Sequence, residues 1–236
     1  MAIAIVGYRT YPDANAQEQV NDLEKAAAVL EQTRSDLYHP STTDRKHWKG
    51  YILCGHSSGA HIALLMLVDR VSKELNKERM NIPFQTFIGI SGPYNVSHHF
   101  DYEAGRGVEE LSPLKPANGY TRMQLEYHSP AIRLQKLLSQ KDAEKIISSI
   151  LPRMLLVHGI EDTVVPFTNT SECASLLRMC GVSQCEELYL GKTGHEDTIM
   201  QFMLGGKTRK AVLEWLSHVT ESKKNVTASV NTMSKL

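Results

Sequence analysis

Ile52-Leu53-Cys54-Gly55-His56-Ser57-Ser58-Gly59-Ala60-His61-Ile62-Ala63-Leu64-Leu65 passes from an apolar strand through a Gly-x-Ser-x-Gly turn into an amphipathic helix. A nucleophile elbow needs this context, because its serine is held strained at a strand end with the hydroxyl exposed. Ser57 is therefore the candidate nucleophile. Gly55 and Gly59 are expected where side chains beside so tight a turn would clash. The backbone N–H of Ser58, at the helix start, is the candidate oxyanion donor, since helix N-termini favour negative charge.

The pentapeptide gains weight from two segments farther along the chain. Arg153 to Val157 reads as a second apolar strand and runs into His158-Gly159-Ile160-Glu161-Asp162-Thr163-Val164-Val165-Pro166. This places an acid just beyond a strand's carboxyl end, where open α/β sheets keep their working residues. Cys185 to Leu190 reads as a third strand, followed by Gly191-Lys192-Thr193-Gly194-His195 and a helix. Serine, then aspartate, then histidine is the chain order of α/β-hydrolases. A serine hydroxyl is a poor nucleophile at neutral pH, so an imidazole must take its proton as the oxygen attacks a carbonyl carbon. His195 is expected to be that base, and Asp162 to orient its ring and stabilise the imidazolium. Glu161 is the competing acid and ranks second, because Asp162 is followed by the Thr-Val-Val-Pro stretch that should fix the loop. His56 and His61 flank the nucleophile and read as packing or orienting residues, His158 as structural, and His39, His47, His128 and His218 as surface residues.

Farther out, Met1 to Arg9 reads as a first strand, and apolar positions three or four apart between Ala14 and Leu37 as a helix. The elbow strand is expected from Trp48 to Cys54, its helix from Gly59 to Leu75, and a further strand from Thr86 to Ile90. From Ser91 to about Pro130 the periodicity dissolves. That stretch is too long for a plain connector and reads as a cap over the pocket, with Tyr94, His98, His99 and Phe100 as candidate substrate-binding residues. Asp142 to Leu151, Thr168 to Met179 and Lys207 to Val219 read as helices. The chain has 236 residues and 42% apolar content, enough for one sizeable core. This implies one α/β domain over residues 1–220, with about 91–130 as the insertion.

Lys and Arg number 26 against 26 Asp and Glu, so no basic excess points to nucleic acid. Four cysteines, at 54, 173, 180 and 185, have no metal-ligand spacing and suggest no disulfide framework. They read as thiols in a reducing compartment, with Cys54 buried beside the elbow. Neither a metal nor a cofactor is expected. The sequons at Asn95, Asn169 and Asn225 would matter only in a secreted protein, and the chain shows no signal peptide or long apolar run.

Tyr8-Arg9-Thr10-Tyr11-Pro12, the elbow, Ser91-Gly92-Pro93-Tyr94-Asn95, Arg106-Gly107-Val108, Ser129-Pro130, His158-Gly159 through Pro166, and Gly191-Lys192-Thr193 together resemble an esterase branch. That branch contains isoprenylcysteine methylesterase-like proteins, kynurenine formamidase and small-molecule carboxylesterases. The resemblance spans about residues 3 to 206. It implies an α/β-hydrolase fold, a mostly parallel sheet flanked by helices, and serine-hydrolase chemistry. It also implies a strand ending in a His-Gly-Gly loop ahead of the Tyr-Arg segment, seated in mid-sheet and completing the oxyanion hole. No His-Gly-Gly occurs between Met1 and Leu236. Either the first strand slides over to pair with the elbow strand, or, the favoured expectation, the N-terminal strands, including the oxyanion-loop strand, are supplied by in-frame coding sequence upstream.

Residues 221–236 are polar and non-periodic, read as a flexible tail, and end in Ser234-Lys235-Leu236. At a free carboxyl end that tripeptide is a peroxisomal import address, and the import receptor is the partner it implies. A cytoplasmic or membrane-associated location is the alternative if an N-terminal segment is missing. The reading reached is a serine hydrolase cleaving a small or lipidic carboxylic ester through an acyl-enzyme. Its alternatives are an amidase of the kynurenine formamidase type and a catalytically impaired hydrolase fold that binds a ligand or partner.

Overall fold

Alternation with period two sends neighbouring residues of each strand to opposite faces of a sheet. In the central strands Phe87, Met154 and Leu156 point one way, while Ile88, Ile90, Leu155 and Val157 point the other. Both sets are buried, as in a parallel sheet covered on two sides. The structure is a computed structural model that describes residues 3–33, 51–76 and 84–218. Its strands are β1 (Tyr51–His56), β2 (Phe84–Ile90), β3 (Arg153–Gly159) and β4 (Cys185–Leu190), all parallel and in the spatial order β1-β2-β3-β4.

One face carries the larger core. Helices α1 (Ala16–Thr33), α2 (Ser58–Leu75), α6 (Pro130–Leu137), α7 (Ala143–Ile150) and α8 (Thr168–Met179) pack there. Helix α2 is buried at every residue from Ala60 to Val71, charged groups included. Asp69 and Arg70 can sit so deep because each is paired: Arg70 with Glu24 of α1 at 2.7 Å, Asp69 with Arg133 of α6 at 2.5 Å. Helix α9 (His195–Leu204) and helix α10, residues 207–218, cover the opposite face through Phe202, Val212, Trp215 and Leu216. Between β2 and α6 lie three short helices, α3 (Val96–Gly105), α4 (Leu114–Asn118) and α5 (Arg122–Tyr127).

Several expectations need correction. Residues 3–10 form no strand, and Ile3 and Ile5 are 80% and 95% exposed. The segment is held by side chains instead: Tyr8 packs against the core, and Arg9 forms a two-point ion pair with Asp22. Cys54 is exposed, because β1 is the sheet edge among the described residues. Helix α6 is masked in the sequence by its polar residues, although Ser129 followed by Pro130 is a helix-start signal. His128 is half-buried and bonded to the Asn118 carbonyl rather than a free surface residue. His39, His47, the expected helix end at Leu37, the strand start at Trp48, Asn225 and the tripeptide Ser234-Lys235-Leu236 lie outside the described residues. Among the described residues, no helix is long and apolar enough to cross a membrane.

Candidate active site

The parallel register places all four strand ends along one rim. His56 stands beside Ile90, Ile90 beside Val157, and Val157 beside Leu188. The ladder continues one bond into each loop, through Ser57 N–H to Ile90 O, Ser91 N–H to Val157 O and Ile160 N–H to Leu190 O. Residues far apart in sequence therefore converge.

Ser57 has φ 52° and ψ −123°, a strained conformation for a residue with a side chain. Gly55 makes the turn possible: a Cβ there would lie 2.5 Å from the Gly59 carbonyl oxygen and 2.6 Å from the Ala60 nitrogen. Gly59 is different, because a Cβ on it would meet only the Tyr8 hydroxyl at 3.8 Å. The steric role expected of both glycines belongs to Gly55 alone. Ser58 opens helix α2, so its N–H lies ahead of the helical ladder and is free for a developing oxyanion.

Ser57, His195 and Asp162 come together as expected. The Ser57 hydroxyl lies 2.9 Å from Nε2 of His195, and Nδ1 of His195 lies 2.7 Å from Oδ2 of Asp162. With its Nδ1 proton donated to the carboxylate, His195 has Nε2 left to accept the serine proton. The other carboxylate oxygen accepts the backbone N–H groups of Val164 at 2.9 Å and Val165 at 2.8 Å. Burial alone would raise the Asp162 pKa. Hydrogen bonds from His158, His195 and the Val165 N–H outweigh it and hold the carboxyl well below the usual range. Asp162 is thus kept ionised beside the His195 ring.

The loops carrying acid and base are locked to each other. Glu161 accepts the Thr193 N–H at 2.9 Å on its carboxylate and donates its own N–H to the Thr193 carbonyl at 3.2 Å. Glu161 thus bonds the Thr193 backbone, and the carboxylate facing His195 is that of Asp162. A Cβ on Gly159 would lie 2.2 Å from the Thr193 carbonyl oxygen, so the loops touch backbone to backbone. Asp197 caps α9 by accepting the Gly194 N–H. The Thr198 hydroxyl donates to the His195 carbonyl at 2.6 Å and is itself bonded to Ser91, a buried residue with φ 50°. His56 donates to the same carbonyl at 3.2 Å and packs its ring 4.8 Å from that of His195. Burial, then the neighbouring His195, lowers the His56 pKa. Thr198 escapes sequence reading because its spacing fits no motif, and Ser91, although part of the Ser-Gly-Pro-Tyr-Asn element, carries no mark of the bond it makes.

The four cap candidates scatter. Tyr94 is a core residue, fully buried, with its ring against Gly92 and its hydroxyl against Gly89. Those glycines leave room for the ring, which corrects its placement as a pocket-lining side chain. His98 is exposed and pairs with Glu172 at 3.0 Å. His99 is buried beside Glu103 at 3.4 Å. Phe100 lies under the Lys115 ammonium at 5.6 Å. The segment after β2 does reach the Asp162 loop by another route, because Tyr102 and Arg106 both donate to the Thr163 carbonyl.

Comparison with known proteins agrees with this geometry. Residues 1–177 match the BD-FAE family. The chain is 28% identical over 218 residues to a probable isoprenylcysteine alpha-carbonyl methylesterase of Oryza sativa subsp. japonica, covering 91% of this chain and 49% of that protein. It is 29% identical over 209 residues to isoprenylcysteine alpha-carbonyl methylesterase of Arabidopsis thaliana, covering 87% and 45%. The chain thus spans about half the length of the curated relatives it matches. Among solved structures, an inhibited esterase B from Lactobacillus rhamnosis superposes with TM-score 0.64 at 18% identity, covering 94% of this chain and 68% of that one. A thermophilic esterase from Thermogutta terrifontis gives 0.56 at 18% identity, covering 90% and 67%. At such identities the likeness shows the fold alone, and that fold is the α/β-hydrolase.

Proposed function

The chain belongs to the BD-FAE family of α/β-hydrolase esterases, and from that premise we propose that it cleaves a small or lipidic carboxylic ester through an acyl-enzyme. The observation that carries the proposal is the continuous path from the Ser57 hydroxyl through His195 to Asp162, at 2.9 and 2.7 Å, with the serine on a strained elbow. His195 takes the hydroxyl proton as Ser57 Oγ attacks the ester carbonyl carbon, and Asp162 stabilises the imidazolium that forms. The Ser58 N–H donates to the tetrahedral oxyanion. Collapse of the intermediate transfers the proton to the leaving alkoxide, and water repeats the sequence to release the acid. The names of the plant relatives favour a methyl ester among the substrates.

A fluorophosphonate probe should label Ser57, and Ser57→Ala should abolish labelling and lower p-nitrophenyl acetate turnover by about 10⁴ or more in kcat. Intact turnover in Ser57→Ala would overturn the mechanism. For location, the reading is import into peroxisomes through the carboxyl-terminal Ser234-Lys235-Leu236. A fluorescent protein fused to the N-terminus should then overlap a peroxisomal marker and become diffuse when Leu236 is deleted. Diffuse signal from the intact fusion would sink the import reading.

A further inference from the structure

Asp162 is held by two histidines, and the proposed chemistry uses only one. The second is His158, completely buried at the end of β3, four residues before the acid. Its Nε2 lies 2.9 Å from the Val165 carbonyl oxygen and 3.2 Å from Oδ2 of Asp162, the oxygen that also accepts from His195. Its Nδ1 lies 2.8 Å from the hydroxyl of Thr170, a fully buried residue of α8. A carbonyl only accepts, so Val165 places a proton on Nε2. In the neutral ring Nδ1 is then an acceptor, and Thr170 fills it. The tautomer that can donate to Asp162 is selected from a separate helix.

Counting donors shows what this does. Oδ1 of Asp162 accepts from two backbone N–H groups, and Oδ2 accepts from His195 and lies 3.2 Å from Nε2 of His158, whose proton is shared with the Val165 carbonyl. With donors at both oxygens, rotation of the carboxylate would break bonds on one side or the other. We infer that His158, fixed by Thr170, is a positioning residue for the triad: its Nε2–H, shared between the Val165 carbonyl and Oδ2 of Asp162, holds that oxygen in the plane that His195 needs. This rests on the serine-hydrolase reading. A purely structural alternative exists in the same bonds, because the contact to Val165 also closes the 159–165 loop. The two differ in whether the charge of Asp162 is affected. Titratable groups facing Asp162 are His158 from β3 and His195 from α9, with His56 of β1 packed behind His195, while α8 presents only the neutral Thr170 hydroxyl behind His158.

The test compares His158→Leu, His158→Gln and Thr170→Val, with rates normalised to the Ser57 sites that a fluorophosphonate titrates. His158→Leu should lower kcat about tenfold with KM within about twofold, the pattern of a lost transition-state interaction. The acid-side fall of kcat/KM should also move to higher pH, because a carboxylate with one donor fewer favours the imidazolium of the base it faces. His158→Gln, whose amide can still donate from the Nε2 position, should restore most of both. Thr170→Val should shift both in the same direction by less. Unchanged kcat per titrated site and an unmoved acid limb in His158→Leu and Thr170→Val would overturn the inference, even if the melting temperature fell. Should His158→Leu fail to fold, Thr170→Val carries the kinetic arm, and long-range ¹H–¹⁵N spectra of the wild-type protein read the tautomer directly. A proton on Nδ1 and none on Nε2 of His158 would also overturn it. A wild type that no fluorophosphonate labels would remove the parent reading, an outcome distinct from labelled protein with indifferent His158 variants.

Discussion

The two halves of the site are held by different physics. At the elbow, backbone sterics set Ser57: it has φ 52°, and no side chain fits at Gly55 within reach of the Gly59 and Ala60 backbone. Across the rim, side-chain hydrogen bonds set Asp162 and His195. Asp162 accepts from Val164, Val165 and His195 with His158 3.2 Å away, Glu161 clamps Thr193, and Thr198 with His56 pins the His195 carbonyl. A site fixed by backbone fails abruptly when its one permissive residue changes. A site fixed by many bonds loses function in steps.

The largest effect should come from the glycine that sterics demands. Gly55→Ala forces a Cβ against backbone atoms that cannot move without unwinding the first turn of α2. The cost should be at least about 3 kcal/mol, the range of severe overpacking, with little soluble protein recovered. Gly59→Ala should be neutral or stabilise by about 0.5–1 kcal/mol, because it adds a methyl in open space inside a helix. Urea unfolding of the two variants checks the contrast. Equal destabilisation would mean that the pattern, and not the contact at position 55, governs the turn.

The same division explains what sequence reading reaches. Backbone-determined features leave compact signatures, so the elbow, β4 and α8 fall where periodicity and glycine placement put them. Strand ends at Asp162 and His195 are legible because a parallel sheet brings successive carboxyl ends to one rim. The bonds between loops are not. Ser91 and Thr198 lie 107 positions apart, and no local pattern pairs them. Tyr94 is misplaced for a related reason: an aromatic residue in an irregular stretch looks like pocket lining until the glycines that receive its ring are known. The exposure of Ile3 and Ile5 shows the converse limit, since an apolar run becomes a strand only where a partner edge accepts it.

Acid should reach the elbow side first. His61, four residues past Ser57 on α2, donates to the His128 carbonyl at 2.6 Å, and burial pushes its pKa down to about 4. A histidine kept neutral in the fold but free to protonate when unfolded costs stability as pH falls. Its contribution is full above about 6.5 and is lost on the way toward 4. Roughly 2 kcal/mol should disappear between about pH 7 and pH 5. Asp162 behaves otherwise: its folded pKa is depressed, so its contribution stays until pH drops through the ordinary carboxylate range. Thermal unfolding across this range should show the earlier loss, and His61→Gln should flatten it. A His61→Gln profile parallel to wild type would assign the acid sensitivity to other groups.

The smallest effect should come from one bond among many. Glu161 accepts the Thr193 N–H on an exposed carboxylate, and the backbone N–H groups of Thr193 and Lys192 lower its pKa. Removing that acceptor in Glu161→Ala leaves the Glu161–Thr193 backbone bond and the close approach at Gly159 in place. Stability should fall only slightly, because an exposed bond is largely replaced by water. The fall in kcat/KM should stay within about tenfold, since His195 keeps its other restraints. Glu161→Gln, which retains an acceptor oxygen, should fall between the variant and wild type. Asp162→Ala should lose about 10⁴ in kcat, as expected for the acid of a triad. If steady-state kinetics instead found the two alanine variants equally impaired, the acid loop would act as one rigid unit like the elbow, and the distinction between the two halves would fail.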